Sequence, residues 1–528
     1  MSLLEIRELS VALPAGADRA LALDQVSLAL DPGEILCVVG ESGSGKSVTA
    51  SAIIGLLAPG LAVVSGQIML AGEALVGQSP EAWRALRGRR IAMVFQEPMT
   101  ALNPLMTVGA QIAEMWRAHT DLNSRDITAH SLAALTEVAL PDPEGALRAY
   151  PHELSGGQRQ RVMIAMALAL EPEVLICDEP TTALDVTTQA QVLALIRALQ
   201  QRRGTAVLFI THDFGVVAEI ADRVAVMQQG VVVEQGPAAT VLSHPTHPYT
   251  KALLAAVPAL IAPPPRELAA GSVLTLRGVT KTYGSPGMFR RRKAVKALDA
   301  VDLTLRQGAT LGVVGESGSG KSTLARCVVG LLPVDAGDIL IAGEPLPHGR
   351  CAAAGLVQMV FQDPFASLNP RRRVGDQVAQ GPMALGTSAA QAMAEARALF
   401  GLVGLEPDAV ARFPHEFSGG QRQRIGIARA LAMKPRVLVA DEPVSALDVS
   451  VQAQVLELLR GLQARLGLSM LFITHDLRVA AQICDDIAVM QNGVVVETGP
   501  IGEVFAAPRH AYTRSLLDAV PGRALFAA

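Results

Sequence analysis

The sequence predicts an α/β fold built twice in one chain, and three observations predict it. Half of the 528 residues are hydrophobic but only 3% are aromatic, so the core must come largely from Ala, Val, Leu and Ile, as in buried parallel strands flanked by helices. The apolar run Ile35 to Val39 feeds a glycine-rich loop, GESGSGKS at Gly40 to Ser47, and then a helix-capable segment. The same eight letters return at Gly315 to Ser322. A strand, a glycine loop and a helix in that order form an α/β unit, and their recurrence sets the expected count at two in a chain too long for one ordinary core.

The repeat runs well beyond the loop. VFQEPMTALNP at 94 to 104 pairs with VFQDPFASLNP at 360 to 370, and PHELSGGQRQR at 151 to 161 with PHEFSGGQRQR at 414 to 424. CDEPTTALDV at 177 to 186 matches ADEPVSALDV at 440 to 449, and LFITHD occurs at 208 to 213 and at 471 to 476. In both halves the serine of SGGQ stands 23 residues before the aspartate of DEP, and that aspartate 34 residues before the histidine. Identical spacing implies identical architecture, and a period of half the chain is a domain duplication, not a solenoid of short repeats. The expected division is a first domain at 1–257, a connector at 258–272 and a second domain at 273–528. The connector, PALIAPPPRELAAGS, contains Pro263, Pro264 and Pro265 and is expected to be extended and semi-rigid.

Several classes of function are disfavoured by the same numbers. A formal net charge of -4 supplies no basic field for nucleic acid or anionic lipid. Cysteines at 37, 177, 327, 351 and 484 form no CxxC pair, which argues against a disulfide framework or zinc knuckle, suits a reducing compartment and leaves them as small core residues. The opening MSLLEIRELS has no basic region followed by an apolar run and cleavage site, so no signal peptide is expected. Ser47 to Gly72 is uncharged and long enough to cross about 30 Å of hydrocarbon, but Pro59 and Gly60 interrupt it. It reads as a helix, a turn and a strand. Arg290, Arg291, Arg292 and Lys293 form a local basic cluster, read as a solvated loop with headgroup contact as the alternative.

The glycine-rich loop is a phosphate cradle. Gly40, Gly43 and Gly45, interleaved with Glu41, Ser42 and Ser44, let backbone N–H groups turn toward phosphate oxygens at a helix N-terminus. Lys46 is placed to neutralise β- and γ-phosphates and Ser47 to ligate Mg²⁺. Gly315, Glu316, Ser317, Gly318, Ser319, Gly320, Lys321 and Ser322 repeat these roles. The loop alone leaves open a domain that binds nucleotide without hydrolysing it. VLICDE and VLVADE, however, are apolar strands ending in paired carboxylates, at the edge where open α/β sheets bind ligands. Asp178 and Asp441 suit Mg²⁺ held through its water shell; Glu179 and Glu442 suit a base that deprotonates attacking water. The alternative is a solvated acidic turn. Gln96 and Gln362 follow strands ending in Val-Phe, where a glutamine can contact Mg²⁺ and the attacking water. His212 and His475 can reach a γ-phosphate, or be structural.

Ser155 to Gln158 and Ser418 to Gln421 are also glycine-rich and lead into helices, yet hold no lysine; alone they read as helix-capping turns. The cradle, glutamine loop, SGGQ, the strand ending in DE, the ALD turns at 183 to 185 and 446 to 448, and the histidine together resemble the ATP-binding cassette (ABC) ATPase domain, twice over and across nearly the whole chain. The resemblance implies two tandem P-loop NTPase (ABC ATPase) domains, each with a RecA-like α/β core and a helical subdomain, using ATP and Mg²⁺. It further implies that the SGGQ of one domain meets the γ-phosphate held by the other. Lys46, Ser47, Gln96, Asp178, Glu179 and His212 would then act with Ser418 and Gly420, and Lys321, Ser322, Gln362, Asp441, Glu442 and His475 with Ser155 and Gly157. Family members place an adenine-stacking aromatic before the strand that enters the cradle. Tyr283 fits that place in the second half, whereas the first 45 residues hold no Phe, Tyr or Trp and Val11 to Leu13 are aliphatic. Weaker nucleotide binding is therefore expected at the first site.

After each cassette comes a further repeat, HPTHPYTKALLAAVP at 244 to 258 and PRHAYTRSLLDAVP at 508 to 521. As bare physics, Leu253, Leu254 and Val257 form a packing stripe at helical spacing. The stretches also resemble the C-terminal extension of oligopeptide, dipeptide and nickel importer ATPases, in the fused form where one chain does the work of two subunits. That resemblance implies an energy-coupling subunit hydrolysing ATP to ADP and phosphate, peripheral on the cytoplasmic face of the inner membrane. Its implied partners are two integral-membrane permease subunits and, indirectly, an extracytoplasmic solute-binding protein. The permease helices would dock beside Gln96 and Gln362, in grooves lined by helical segments from about 105 to 150 and 371 to 413. Some family members carry an iron–sulfur cluster near this extension, but with no cysteine after 484 or between 177 and 327 none is expected here. The rival reading is a soluble twin-cassette ATPase acting on ribosomes or DNA. Factors of that type carry a long, charged helical linker, unlike the short apolar connector here. The solute, whether peptide, nickel, glutathione or another, stays open because the cassettes do not touch the cargo.

Overall fold

The structure is a computed structural model describing residues 2–97, 101–182, 184–264, 266–268, 271–284, 294–347, 353–445 and 447–523. The basic cluster Arg290–Lys293, Cys351, Pro265, and Ala183 and Ala446 of the ALD turns lie outside the described residues. Apart from the tripeptide Asp185–Thr187, the chain divides between Val257 and Pro258 into two compact units.

In the first unit a six-stranded sheet runs in the order Val231–Pro237, Arg223–Gln228, Ile35–Val39, Ala206–Thr211, Val174–Asp178, Ile91–Val94. All neighbours are parallel except the first pair. Every residue of Ile35–Val39, Val174–Asp178 and Ala206–Thr211 is buried, the signature of strands covered on both faces. Register decides what meets at the carboxyl edge: Val39 lies beside Thr211, Asp178 beside Ile210 and Val94 beside Cys177. Gly40, Gln96, Glu179 and His212 follow those strand ends and so emerge in one row. A second, antiparallel sheet holds Leu21–Leu30, Leu4–Ala12, Ala62–Leu70 and Glu73–Ala74.

The second unit repeats both sheets in the same order. Its six-stranded sheet runs Val357–Val360, Val437–Asp441, Ser469–Ile473, Thr310–Val314, Asp486–Gln491, Val494–Pro500. Its antiparallel sheet runs Val295–Arg306, Ser272–Tyr283, Ala336–Ile341, Glu344–Pro345.

The uncharged stretch after the first loop forms the helix Lys46–Ile53 and the strand Ala62–Leu70. Among the described residues no helix is long and apolar enough to cross a membrane. Between the glutamine loop and SGGQ the chain is helical, with Val108–His119, Ser124–Glu137 and Pro143–Arg148 started by the capping side chains of Thr107, Asn123 and Asp142. Their buried residues, including Val108, Ile112, Ile127 and Leu135, form the inward face of the helical subdomain. Val374–Ala384 and Ala389–Leu402 occupy the equivalent stretch of the second unit.

The described residues of 258–271 form neither helix nor strand, but they are not bare. Arg266 forks onto Asp485, with Nε 2.8 Å from Oδ1 and Nη2 2.6 Å from Oδ2. Leu268 packs against the core beneath the antiparallel sheet of the second unit. Cys37, Cys177, Cys327 and Cys484 are free and buried, and burial pushes their thiols up, Cys327 to about 11.

Candidate functional site

In each unit the row of strand ends gathers six side chains. Lys46, only 5% exposed, turns its ammonium back onto its own loop: Nζ donates to Gly40 O at 2.7 Å and to Glu41 O at 2.9 Å. Lys321 does the same with Gly315 O at 2.7 Å and Glu316 O at 2.8 Å. Burial lowers the Lys321 pKa, opposed chiefly by the Glu442 carboxylate. Ser47 Oγ donates to Asp178 Oδ1 at 3.1 Å, and Ser322 Oγ lies 3.4 Å from Asp441 Oδ1. Burial raises both aspartates; the neighbouring glutamate adds to it, and the serine opposes it.

Glu179 and Glu442 sit one residue past their strands with φ of 47° and 48°, a left-handed conformation that costs a residue with a side chain about 1–2 kcal/mol. The turn is locked from the adjacent strand, since Glu179 N–H donates to Ile210 O and Glu442 N–H to Ile473 O, each at 2.9 Å. The turn aims each carboxylate at the glutamine and the histidine. Gln96 Nε2 donates to Glu179 Oε2 at 2.9 Å, Thr182 Oγ1 donates to the same oxygen at 3.1 Å, and His212 Nδ1 lies 3.4 Å from it. Gln362 Nε2 donates to Glu442 Oε2 at 3.0 Å, and His475 Nδ1 lies 3.1 Å from Oε1. Burial pushes both glutamates up, but the hydrogen bond and charge of the histidine outweigh it, so both carboxyls fall below their ordinary value. The same pairing holds His212 and His475 above theirs against the burial that lowers them.

Ser155 and Ser418 start the helices Gly156–Leu168 and Gly419–Leu431, each in a capping box with Gln158 or Gln421. Their hydrogen bonds among the described residues run to their own helix. A Cβ on Gly157 would stand 2.6 Å from Thr188 Cγ2, and one on Gly420 2.3 Å from Val451 Cγ1. Glycine is thus required there by packing against the helices Val186–Arg203 and Val449–Leu466. Tyr283 ends the strand Ser272–Tyr283 with its side chain 41% exposed. Leu13, next after the matching strand Leu4–Ala12, instead packs on the first unit's core. Sequence reasoning did not find the left-handed turn at the glutamates. It also did not find two tyrosines, Tyr249 and Tyr512, whose hydroxyls reach the glycine-rich loops; their only sequence signal was recurrence of the Tyr-Thr pair.

A family profile described as ABC transporter matches residues 23–182 and 298–445, more than half of the chain. The chain belongs to the ABC transporter family. As an ABC ATPase it binds ATP, and a second profile, oligopeptide/dipeptide transporter C-terminal region, matches residues 233–281 and 496–523 of this ABC chain. The ABC chain is 48% identical over 527 residues to the peptidoglycan transport ATP-binding protein YejF of Agrobacterium fabrum, spanning 98% of this chain and 96% of that protein. It is 46% identical over 556 residues to the glutathione import ATP-binding protein GsiA of Salmonella typhimurium, spanning 98% and 89%. Among solved structures, cbiO1 from Clostridium perfringens, part of the ABC transporter complex cbiONQ, aligns with 45% of this ABC chain and 91% of its own at 27% identity and a TM-score of 0.39.

Proposed function

We propose that the chain is the ATP-hydrolysing, energy-coupling subunit of an importer for peptides or related small solutes, with residues 1–257 and 273–528 each forming a cassette and 258–272 joining them. The observation that carries this reading is the importer-type C-terminal region, present after both cassettes. The names of the full-length relatives, peptidoglycan transport and glutathione import, point to peptide-like solutes. The net charge of -4 disfavours the ribosome- or DNA-bound alternative.

In this mechanism Glu179 and Glu442 accept the proton of the attacking water, while Gln96 and Gln362 hold those carboxylates in place through the hydrogen bonds that their Nε2 atoms donate. His212 and His475 keep the glutamates ionised and face the departing phosphate. Ser155, Gly157, Ser418 and Gly420 supply hydroxyl and N–H groups to a γ-phosphate presented to them. Ser47 with Asp178, and Ser322 with Asp441, bring hard oxygen donors within 3.1 and 3.4 Å of each other. That sparse set suits Mg²⁺, which keeps most of its shell for waters and phosphates, with Gln96 and Gln362 at its margin. When bound, the ion neutralises charge developing on the phosphates.

A cavity of about 660 Å³ opens beside Gln362, lined by Arg326, Phe361 and Arg429 and also by Ser322 and Asp441 of the Mg²⁺ set, and by no residue of the expected segment 371–413; a cytoplasmic helix of a permease would dock at its outer rim, beside Gln362. Two permease subunits, an extracytoplasmic solute-binding protein and a peripheral place on the cytoplasmic face of the inner membrane complete the reading. A mild-detergent pull-down of the tagged chain from native membranes tests it: two multispanning permease chains should co-purify. Ribosomal proteins without any permease would overturn it.

The two nucleotide sites should differ. Tyr283→Leu weakens ATP binding by the second cassette about five- to 150-fold, the range of ~1–3 kcal/mol that stacking of a base on an aromatic supplies. Leu13→Tyr strengthens the first. Site-resolved labelling with a photoreactive ATP across a titration reads both, and equal occupancy of the two wild-type sites at every concentration would refute the difference.

A further inference from the structure

In each unit one tyrosine of the C-terminal extension touches the phosphate loop. Glu41 N–H donates to Tyr249 Oη at 3.2 Å, and Glu316 N–H donates to Tyr512 Oη at 3.0 Å. Tyr249 O–H in turn donates to Glu41 Oε2 at 3.2 Å. The peptide plane involved is the one whose carbonyl, Gly40 O or Gly315 O, receives the lysine Nζ at 2.7 Å. A peptide unit is planar and rigid, so tyrosine and lysine grip its two opposite ends, and turning the plane moves both. Burial pushes the Tyr512 phenol up to about 12, which keeps its proton in place.

The extension itself is tied to the sheet. His247 and His510 cap the helices Pro248–Ala256 and Ala511–Asp518, their Nδ1 atoms accepting from Tyr249 N–H and Tyr512 N–H at 3.2 Å. Just before them, the Glu234 carboxylate accepts from Thr246 N–H at 2.7 Å and His247 N–H at 3.1 Å. Glu497 accepts from Arg509 N–H at 2.7 Å and His510 N–H at 3.1 Å. Behind, Leu253 in the first unit and Leu516 and Leu517 in the second are buried. Each tyrosine hydroxyl is therefore delivered to its loop by an anchored helix, twice in one chain and with the same partners.

We infer that Tyr249 and Tyr512 are positioning residues for ATP: each hydroxyl orients the first peptide plane of its phosphate loop, and through it the lysine that meets the phosphates. The inference rests on the ATPase reading above and adds a consequence, because coupling between two sites is reciprocal. Nucleotide that draws the lysine toward its phosphates changes the hold on the tyrosine, so occupancy of the cradle is felt in the extension helix.

The test uses the full-length chain with Tyr249→Phe and Tyr512→Phe together, which removes both hydroxyls and keeps both rings. The expected result is a three- to tenfold rise in the KM for MgATP, the worth of about one hydrogen bond, with kcat within twofold of wild type and an unchanged melting temperature. Hydrogen exchange of the amides in Lys251–Ala256 and Thr513–Asp518, which should change on addition of ADP in wild type, should no longer respond in the variant. An unchanged KM with the exchange response intact would overturn the inference, as would a fall in kcat that tracks a fall in melting temperature, since that marks packing alone. Absence of ATP turnover in the wild-type chain would instead overturn the ATPase reading, and this inference with it.

Discussion

Glu179→Gln and Glu442→Gln, made together, lower ATP turnover by about 10²–10⁴-fold, the range for loss of a general base, while ATP binding is retained. Glutamine has the length of glutamate and keeps one oxygen to accept from Gln96 or Gln362, but it cannot take a proton. The backbone gives no reason for the substitution to unfold the turn. The left-handed φ of 47° and 48° is met by glutamate already, and the bonds to Ile210 O and Ile473 O are made by main-chain N–H groups that the change leaves alone. Glu179→Asp should also fail, for a different reason: its carboxylate would fall short of the positions where Gln96 Nε2 at 2.9 Å and Thr182 Oγ1 at 3.1 Å now meet it. Phosphate release measured at saturating MgATP, with retained ATP counted by rapid filtration, separates chemistry from binding. The single variants carry extra information: half of the turnover remains if the cassettes fire independently, and almost none if each waits for the other. A double variant within threefold of wild type would show that another group takes the proton.

The parts of this site that were legible in the sequence are the parts made by local pattern. Ile35–Val39 and Val174–Asp178 are short apolar runs followed at once by their functional residues, so strand and site were read together. Parallel register then forces Gly40, Gln96, Glu179 and His212 to one edge, and equal spacing in both halves marked them as a set. What stayed hidden depends on chain segments far apart. Tyr249 and Glu41 are 208 positions apart, and Arg266 and Asp485 are 219 apart. No local pattern links the two members of either pair, so the proline run marks a connector but says nothing of its ion pair. The left-handed turn at Glu179 has no sequence signal because any residue with a Cβ is uncommon there; the strand beside it holds that conformation in place. The SGGQ turns show the two readings coexisting, because Ser155 is a helix cap and Gly157 is required by Thr188, whatever phosphate either one meets.

Gly315→Ala, and its counterpart Gly40→Ala, destabilise the cassette by about 2–4 kcal/mol and disable its phosphate cradle. From the sequence, the glycine at this position serves an approach to phosphate. The packing supplies a stricter reason. A Cβ on Gly315 would stand 2.2 Å from Met490 O and one on Gly40 2.2 Å from Met227 O. Each of those oxygens belongs to the backbone of the adjacent strand, Asp486–Gln491 or Arg223–Gln228, which is held by ladders on both sides. A flexible side chain could swing away from such a clash, but a strand in a ladder cannot, so the loop has to move. The peptide that moves carries the carbonyl bonded to Lys321 or Lys46, and the lysine moves with it. Gly318 is the control within the same loop, for its Cβ would meet nothing within 4 Å and only its φ of 80° is strained. Gly318→Ala should therefore cost about 1–2 kcal/mol without the clash. Calorimetry of both variants without nucleotide should place Gly315→Ala about 3–6 °C below Gly318→Ala, at roughly 2–4 °C per kcal/mol for a cassette of this size. Equal melting temperatures would mean that the neighbouring strand yields, and that the glycine is there for the phosphate alone.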